Sequence, residues 1–217
     1  MKLESNGILI DLCPIGERDS VARVFTSEFG VMCGVMRAAQ IARKNKPLVG
    51  QVGCATWNAR LDSQLGTFHW ESEKNLAVEL MRSQKLLAMM NSAFALITVL
   101  LPEREQYSTL YSATVDLMRN LGGRGNVDAY LEWETELLRD LGYGLDLSAC
   151  AACGTRDNLV YVSPRTGRAV CAKCGAPYDD KMYRLPLNLD ITRLFIERIC
   201  MAQGTDLPIA RKRLISE

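Results

Sequence analysis

The chain has 217 residues, of which 48% are hydrophobic and 24% charged, and its formal net charge at pH 7 is +1. This length and apolar content suit one large domain or two small ones, and the near-neutral charge excludes a protein that is basic overall. The first residues lack the basic-then-apolar pattern of a signal peptide, and the longest apolar run is too short to span a bilayer. These features predict a cytoplasmic protein without a membrane partner, in which cysteine thiols stay reduced.

Five short β-rich segments separated by turn residues occupy the first 75 residues. They run over residues 7–12, 21–25, 30–36, 50–61 and 66–71. Because no long helix lies between them, they predict a small barrel, and a five-stranded barrel of this length is most economically an OB-fold. We therefore expect an N-terminal OB-fold domain over residues 1–75.

The stretch between Glu28 and Asp62 contains no acidic residue but several basic ones. These are Arg37, Arg43, Lys44, Lys46 and Arg60. On a small barrel, cations without acidic neighbours predict a groove that binds a nucleic-acid backbone, although a solvated loop is the simpler alternative. Two aromatic residues on the adjacent strands, Trp57 and Phe68, would either stack on bases or fill the barrel core.

From residue 76 onward, apolar residues recur at helical spacing. This period predicts one long amphipathic helix over residues 76–101, which Pro102 stops. Further helices are predicted at about 108–121, 127–141 and 189–201. Together they predict an α+β protein in which a helical domain, residues 76–217, follows the barrel.

Two Cys-x-x-Cys pairs separated by seventeen residues interrupt the helical part. The cysteines are Cys150, Cys153, Cys171 and Cys174. This spacing predicts one Zn²⁺ held by four thiolates in a zinc ribbon over residues 148–178, with a hairpin between the pairs and a tight glycine turn after each pair. Four protein ligands leave no open position on the metal, so its role would be structural. Two disulfides or a redox-active pair are the competing interpretations, and reduced thiols favour zinc.

Groups for catalysis are few in this sequence. There is no phosphate-binding GxxxxGK[ST] motif, and the single histidine, His69, is more typical of a surface or packing position than of a general base. Glu103 and Glu105 could pass for paired catalytic carboxylates, but they flank Arg104 and are more typical of a solvated charge cluster. We therefore predict a protein that is not an enzyme. A small zinc-dependent hydrolase or redox enzyme would require an open metal position or a reactive dithiol.

Several segments, taken in order, resemble the family of the bacterial DNA repair and recombination mediator RecO. They are residues 16–19 with 24–30, residues 61–68, residues 100–105 with Leu110 and Tyr111, residues 141–146, and the cysteine ribbon. The resemblance implies an N-terminal OB-fold, a helical C-terminal domain with an inserted zinc ribbon, and no catalytic site. It also implies binding to single- and double-stranded DNA, annealing of complementary strands, and association with RecR. Contact with the acidic C-terminal tail of single-stranded DNA-binding protein, and help in loading the RecA recombinase onto coated DNA in the bacterial nucleoid, are implied as well.

An acidic peptide tail requires an apolar pocket with cations beside it. The helical domain offers apolar faces, and the basic run Arg211, Lys212 and Arg213 follows its last helix, so we expect these three residues to bind the tail. The alternative is that the helices bury their apolar faces against one another and the three cations are solvated. A second hypothesis for the whole chain is a zinc-ribbon scaffold that joins proteins and leaves DNA contacts to them.

Overall fold

The computed structural model describes residues 1–17, 19–37, 46–61, 65–122 and 126–214. Over these residues, no helix combines the length and the apolar character that crossing a membrane requires.

The N-terminal part is a closed five-stranded barrel. Its strands are β1 (Lys2–Ile15), β2 (Asp19–Thr26), β3 (Gly30–Met36), β4 (Gln51–Asn58) and β5 (Gly66–Asn75). They follow the order β1-β2-β3-β5-β4, and β4 pairs with β1 to close the barrel. All pairs are antiparallel except β3 with β5. The predicted OB-fold barrel is thereby confirmed, with strands that extend beyond the predicted segments at several ends.

The barrel interior explains two features of its sequence. Trp57 and Phe68 are 1% and 2% exposed and lie in this interior, so the hypothesis that they stack on bases is wrong. The methionines of β3, Met32 and Met36, fill the space around the two rings, which suits flexible thioether side chains. The indole N–H of Trp57 donates to the carbonyl oxygen of Cys33 at 3.0 Å, so the one polar group of the ring is satisfied.

Seven helices make up most of the described remainder of the chain. They are α1 (Ala77–Leu80), α2 (Gln84–Leu100), α3 (Ser108–Asn120), α4 (Asn126–Asp140), α5 (Ala172–Gly175), α6 (Leu189–Ala202) and α7 (Ile209–Lys212). Helices α3, α4 and α6 confirm the predictions at these positions. Helix α7 has only four residues, too few to show a helical period.

The prediction of one continuous helix over residues 76–101 is wrong. The chain leaves the helical conformation at Ser83, whose φ and ψ are −138° and 125°, so α1 and α2 are separate. Helix α1 is held against the barrel, because the N–H of Leu76 donates to the carbonyl of Gly50 at 3.0 Å. The chain therefore turns before α2 begins. Both helices bury apolar residues in the same core, which is why the apolar period continues across the break.

The cysteine-rich segment forms a small three-stranded sheet. Its strands are β6 (Leu159–Val162), β7 (Ala169–Cys171) and β8 (Tyr183–Arg184), in the order β7-β6-β8. The β6–β7 hairpin confirms the predicted body of the ribbon. The two-residue strand β8 lies beyond residue 178, where the ribbon was predicted to end. The chain reaches this strand through a 3-10 helix (Ala176–Lys181), which returns it to the edge of β6.

One apolar core joins the barrel to the helices. Ile8 and Ile10 point out of the barrel into this core, whereas Leu9 between them points into the barrel. This alternation explains why the apolar run in β1 is continuous, since both faces of the strand are buried. The division of the chain into domains at residue 75 stays a prediction, and the core itself is continuous across that point.

The segment after α2 docks on the start of β3. Glu103 forms a β-bridge with Val31, and the N–H of Arg104 donates to the carbonyl of Val31 at 2.9 Å. Gly30 permits this approach, since it has a φ of +62° and a Cβ at this position would lie 1.8 Å from the carbonyl oxygen of Glu105.

We expect Gly30→Ala to destabilise the protein by at least about 3 kcal/mol, because the left-handed backbone and the displaced segment both cost free energy. Gly204→Ala is the matched control. Gly204 has a φ of +70°, and nothing lies within 4 Å of a Cβ there, so only the backbone contribution of about 1 kcal/mol is lost. Urea unfolding measures both values. Equal losses would show that the docked segment is not held by this contact.

Candidate metal centre and basic barrel surface

The four predicted ligands meet at one point of the ribbon. The Sγ atoms of Cys150, Cys153, Cys171 and Cys174 all lie within 4.8 Å of one another. The Sγ atoms of Cys153 and Cys171 are 3.8 Å apart. Thiolates at about 2.3 Å from a tetrahedral metal ion lie about 3.8 Å from one another, whereas a disulfide requires about 2.05 Å. The arrangement therefore fits a four-coordinate metal ion, and all four cysteines are free thiols.

The two Cys-x-x-Cys pairs are positioned in different ways. The first pair closes a turn, in which Gly154 has a φ of +75° and its N–H donates to the carbonyl of Cys150 at 2.9 Å. The expectation of a tight glycine turn holds for this pair. It is wrong for the second pair, because Gly175 has an ordinary φ of −85°. Gly175 instead leaves room for a ring, since a Cβ there would lie 2.3 Å from Tyr161.

The electrostatics of the thiols favour a bound cation. Backbone N–H groups of Cys171, Cys153 and Ala152 donate to the sulfur of Cys150 and lower the pKa of this thiol to about 6. The sulfur atoms of Cys171 and Cys153 raise the pKa of the Cys174 thiol to about 12. Four thiolates cannot share so small a volume without positive charge between them, and a divalent ion bound there would supply it.

The barrel carries a local basic surface at the ends of its strands. Arg37 follows β3 and Arg60 follows β4, and both line one shallow depression together with Lys2. The N-terminal ammonium group is fixed beside them, since it donates to the carbonyl of Ala59 at 2.7 Å. We call this set, the Met1 amino group with Lys2, Arg37 and Arg60, the basic barrel surface. Lys2 and the N-terminus were not among the predicted residues of the groove, because they lie far from Arg37 and Arg60 in sequence.

Of the remaining residues of the predicted basic groove, the structure describes only Lys46. Lys46 is exposed and lies outside the depression, and its carbonyl accepts a hydrogen bond from the Gln51 amide at 3.3 Å. Arg43 and Lys44 lie outside the described residues. A nucleic-acid role for these three cations therefore stays a prediction.

The candidate catalytic groups lie on the surface. His69 is exposed, and its Nε2 is 3.1 Å from a carboxylate oxygen of Glu71. Glu103 and Glu105 are also exposed, and the backbone around them is used to dock on β3. The surface interpretations made from the sequence are confirmed for all three.

The expectation that Arg211 binds a partner is wrong. Arg211 and Glu134 are both 0% exposed, and the Arg211 Nε lies 2.5 Å from the Glu134 Oε1. The same guanidinium group donates to the carbonyls of Leu189 at 2.6 Å and Leu214 at 3.1 Å, while the Thr192 hydroxyl donates to Glu134 at 2.6 Å. Every partner is internal, so Arg211 has no group to offer a peptide.

A signal for this buried pair was present in the sequence. Glu134 falls within the apolar stripe of α4, directly after the buried Trp133 and before the buried Leu137. A carboxylate at such a position requires a cation in the core. Lys212 and Arg213 are exposed, so the expectation of partner binding at these two residues stays open.

Comparisons with known proteins find similar sequences over most of this chain. A family model described as "Recombination protein O C terminal" matches residues 83–205. The DNA repair protein RecO of Jannaschia sp. (strain CCS1) is 39% identical over 191 residues, which cover 87% of this chain and 77% of that protein. The DNA repair protein RecO of Cereibacter sphaeroides (strain ATCC 17025 / ATH 2.4.3) is 35% identical and covers 99% of this chain and 97% of its own length. That of Rhodospirillum centenum (strain ATCC 51521 / SW) is 36% identical, with 99% and 94% covered.

We expect Arg211→Met to destabilise the protein by about 3–5 kcal/mol, because it leaves the Glu134 carboxylate buried without a cation. Adding Glu134→Leu should restore most of this loss, since the pair is then replaced by apolar side chains. Lys212→Met, at the exposed neighbouring position, should change the free energy of unfolding by less than about 0.5 kcal/mol. Urea unfolding of the wild type, of the single variants Arg211→Met and Glu134→Leu, and of the double variant forms a double-mutant cycle, with Lys212→Met as a surface control. Additive losses at the two buried positions would contradict the pairing.

Proposed function

This chain belongs to the RecO family, and from this premise we propose that it acts in DNA repair as a non-enzymatic mediator that binds and anneals DNA strands. The observation that carries the proposal is the basic barrel surface, where two arginines, a lysine and the N-terminal ammonium group surround one depression. The relatives of this chain are DNA repair proteins by name, which supports a role of the same kind here.

The barrel supports binding through phosphates rather than through bases. Its interior aromatic residues, Trp57 and Phe68, are buried, whereas Lys2, Arg37 and Arg60 are exposed. Phosphate contacts fix a strand without reading its sequence and leave the base edges free. Free base edges are what a second strand needs for pairing. This property supports annealing that is independent of sequence and needs no nucleotide.

We propose that the four cysteines hold one structural Zn²⁺. Four thiolates within a tetrahedron's spacing, with three backbone N–H groups on Cys150, are the donor set that zinc prefers. The ion would act only as a positively charged cross-link, because protein sulfur atoms would occupy all four of its coordination positions. The two Cys-x-x-Cys pairs would then be joined at the base of the β6–β7 hairpin.

We also propose the partners that family membership suggests. These are RecR and the acidic tail of single-stranded DNA-binding protein, in support of RecA loading in the bacterial cytoplasm at the nucleoid. For the acidic tail, the exposed cations Lys212 and Arg213 support a contact at the end of α7, and the buried Arg211 takes no part in it.

We expect the double change Arg37→Ala and Arg60→Ala to weaken DNA binding of all sequences alike, because two phosphate contacts are lost. The slope of the logarithm of affinity against the logarithm of salt concentration should flatten by about 1.4 for single strands and about 1.8 for duplexes. Fluorescence anisotropy with labelled oligonucleotides measures both slopes, and annealing of complementary strands should slow in parallel.

Arg82→Ala with Arg119→Ala is the matched control, since it removes the same charge from two other exposed positions. The control should behave as the wild-type protein does. A wild-type protein without salt-sensitive DNA affinity would refute the proposal and favour the zinc-ribbon scaffold that only joins proteins.

We expect one zinc ion per chain in protein purified without chelator, and a loss of this zinc in Cys171→Ser. The melting temperature of Cys171→Ser should fall, because the ribbon then lacks its cross-link. Cys13→Ser is the control, since Cys13 is an exposed thiol outside the cluster. Elemental analysis and thermal melting give the two results. Wild-type protein that contains no metal and in which Cys150, Cys153, Cys171 and Cys174 all react with a thiol reagent would contradict the assignment.

A further inference from the structure

A second depression, about 190 Å³ in volume, lies where the ribbon meets the helices. It is formed by the loop after α4, by the turn between β6 and β7, and by α6. Its side chains include Tyr143 from the loop, Arg165 and Thr166 from the turn, and Arg198 from α6. We call it the ribbon pocket. Neither the basic barrel surface nor the metal centre includes any of these residues.

The ribbon pocket is held in shape by hydrogen bonds between its three segments. The N–H of Asp146 donates to the carbonyl of Gly167 at 3.0 Å, which ties the loop to the turn. Within the turn, the N–H of Gly167 donates to the carbonyl of Ser163 at 2.9 Å. The guanidinium group of Arg198 donates to the carbonyl of Pro164, which ties α6 to the turn. The site is therefore formed before any ligand arrives.

The charge of the ribbon pocket is not neutralised from within. Arg165 and Arg198 are exposed, and neither forms an ion pair with a residue that the structure describes. The acidic residue of the same loop, Asp146, is already engaged by Arg168 at 3.4 Å and by the Ser148 hydroxyl at 2.6 Å. Two guanidinium groups without carboxylates attract an anion with oxygen atoms arranged for bidentate hydrogen bonds, such as a phosphate.

The ring of Tyr143 adds a second recognition element. This side chain is 48% exposed, so part of the ring is open to a stacking partner. The other aromatic residue of the pocket, Phe195, is buried and packs edge-on against Tyr183 at 5.7 Å between ring centroids. An acidic peptide would also need an apolar slot for its side chains. Phe195 does not provide this slot, because its ring already packs against Tyr183. A phosphate beside an open ring instead matches a nucleotide, whose base can stack while its phosphate is held.

We propose that the ribbon pocket binds one nucleotide of a single-stranded nucleic acid, with Arg165 and Arg198 on its phosphate and Tyr143 stacked on its base. This inference rests on the proposed function and extends it, since annealing brings two strands together. A chain with one contact on the barrel and another on the ribbon can hold a strand at each. The pocket supplies a half-exposed ring, whereas Trp57 and Phe68 in the barrel interior are buried.

The test measures anisotropy of a fluorescein-labelled oligothymidylate with the full-length, metal-containing protein. Arg165→Ala with Arg198→Ala should lower affinity about tenfold and flatten the salt slope by about 1.4. Arg156→Ala with Lys181→Ala removes the same charge from exposed ribbon positions outside the pocket and should leave both values unchanged. Tyr143→Ala should lower affinity about five- to tenfold, and Tyr143→Phe should retain it because the ring remains.

A second measurement locates the strand directly. An oligonucleotide carrying iodouracil should crosslink to Tyr143 under ultraviolet light, and the crosslink should disappear in the Arg165→Ala and Arg198→Ala variant. Because Arg198 ties α6 to the turn, Arg165→Ala is also tested alone, and its melting temperature should equal that of the wild type.

The outcomes separate this inference from the proposed function. Salt-sensitive binding that depends on Arg37 and Arg60, but matches the wild type in the Arg165 and Tyr143 variants, would overturn the ribbon pocket and leave the function intact. Loss of binding to a glutamate-rich peptide in the Arg165 variant, with unchanged oligonucleotide affinity, would assign the pocket to a protein partner and overturn the inference. A wild-type protein that binds no oligonucleotide would overturn both.

Discussion

The contact on which the whole arrangement depends is the docking of residues 103–105 on the start of β3. It is made by backbone atoms, because Glu103 pairs with Val31 and the Glu105 carbonyl lies against Gly30. It also places the guanidinium group of Arg104 4.5 Å from the centroid of the Trp57 ring, at the edge of the barrel core. This contact thereby fixes the helices to the barrel. Neither the helices nor the barrel can shift at this point without breaking the packing of the other. Arg104 adopts a φ of +64°, a left-handed conformation that the surrounding contacts must maintain.

The buried pair of Glu134 and Arg211 serves the same end in the C-terminal part. It joins α4 to α7, and its bonds to Thr192 and Leu189 reach α6 as well. Helix α6 carries Arg198, so the position of one wall of the ribbon pocket depends on a core interaction that no ligand touches. A buried ion pair contributes little net stability, but it fixes which elements lie together, since any other packing leaves a charge without a partner.

Local patterns predicted the parts of this fold that are set locally. The cysteine spacing, the alternation of the strands and the helical period each depend on residues near in sequence, and they correctly predicted the clustering of the four cysteines, the barrel and α3, α4 and α6. The failures were non-local. Helix α1, which ends before the break at Ser83, is anchored to the barrel through Leu76 and Gly50, and the burial of Arg211 follows from an acid 77 residues away. The convergence of Lys2 with Arg37 and Arg60 requires the barrel to close, which no linear stretch of sequence reveals.

The four clustered cysteines and the ribbon pocket lie at opposite ends of one hairpin, and this would link stability to the proposed recognition. Cys171 ends β7 and pairs with Leu159 at the start of β6, while the turn at the other end carries Arg165 and Thr166. The hairpin has few residues and a small core of its own, so cross-linking at its base is what can hold the register of its two strands. A change of register by one residue would turn alternate side chains to the other face of the strands. The proposed metal ion, although it would have no catalytic position, would therefore still determine whether Arg165 of the turn faces the ribbon pocket.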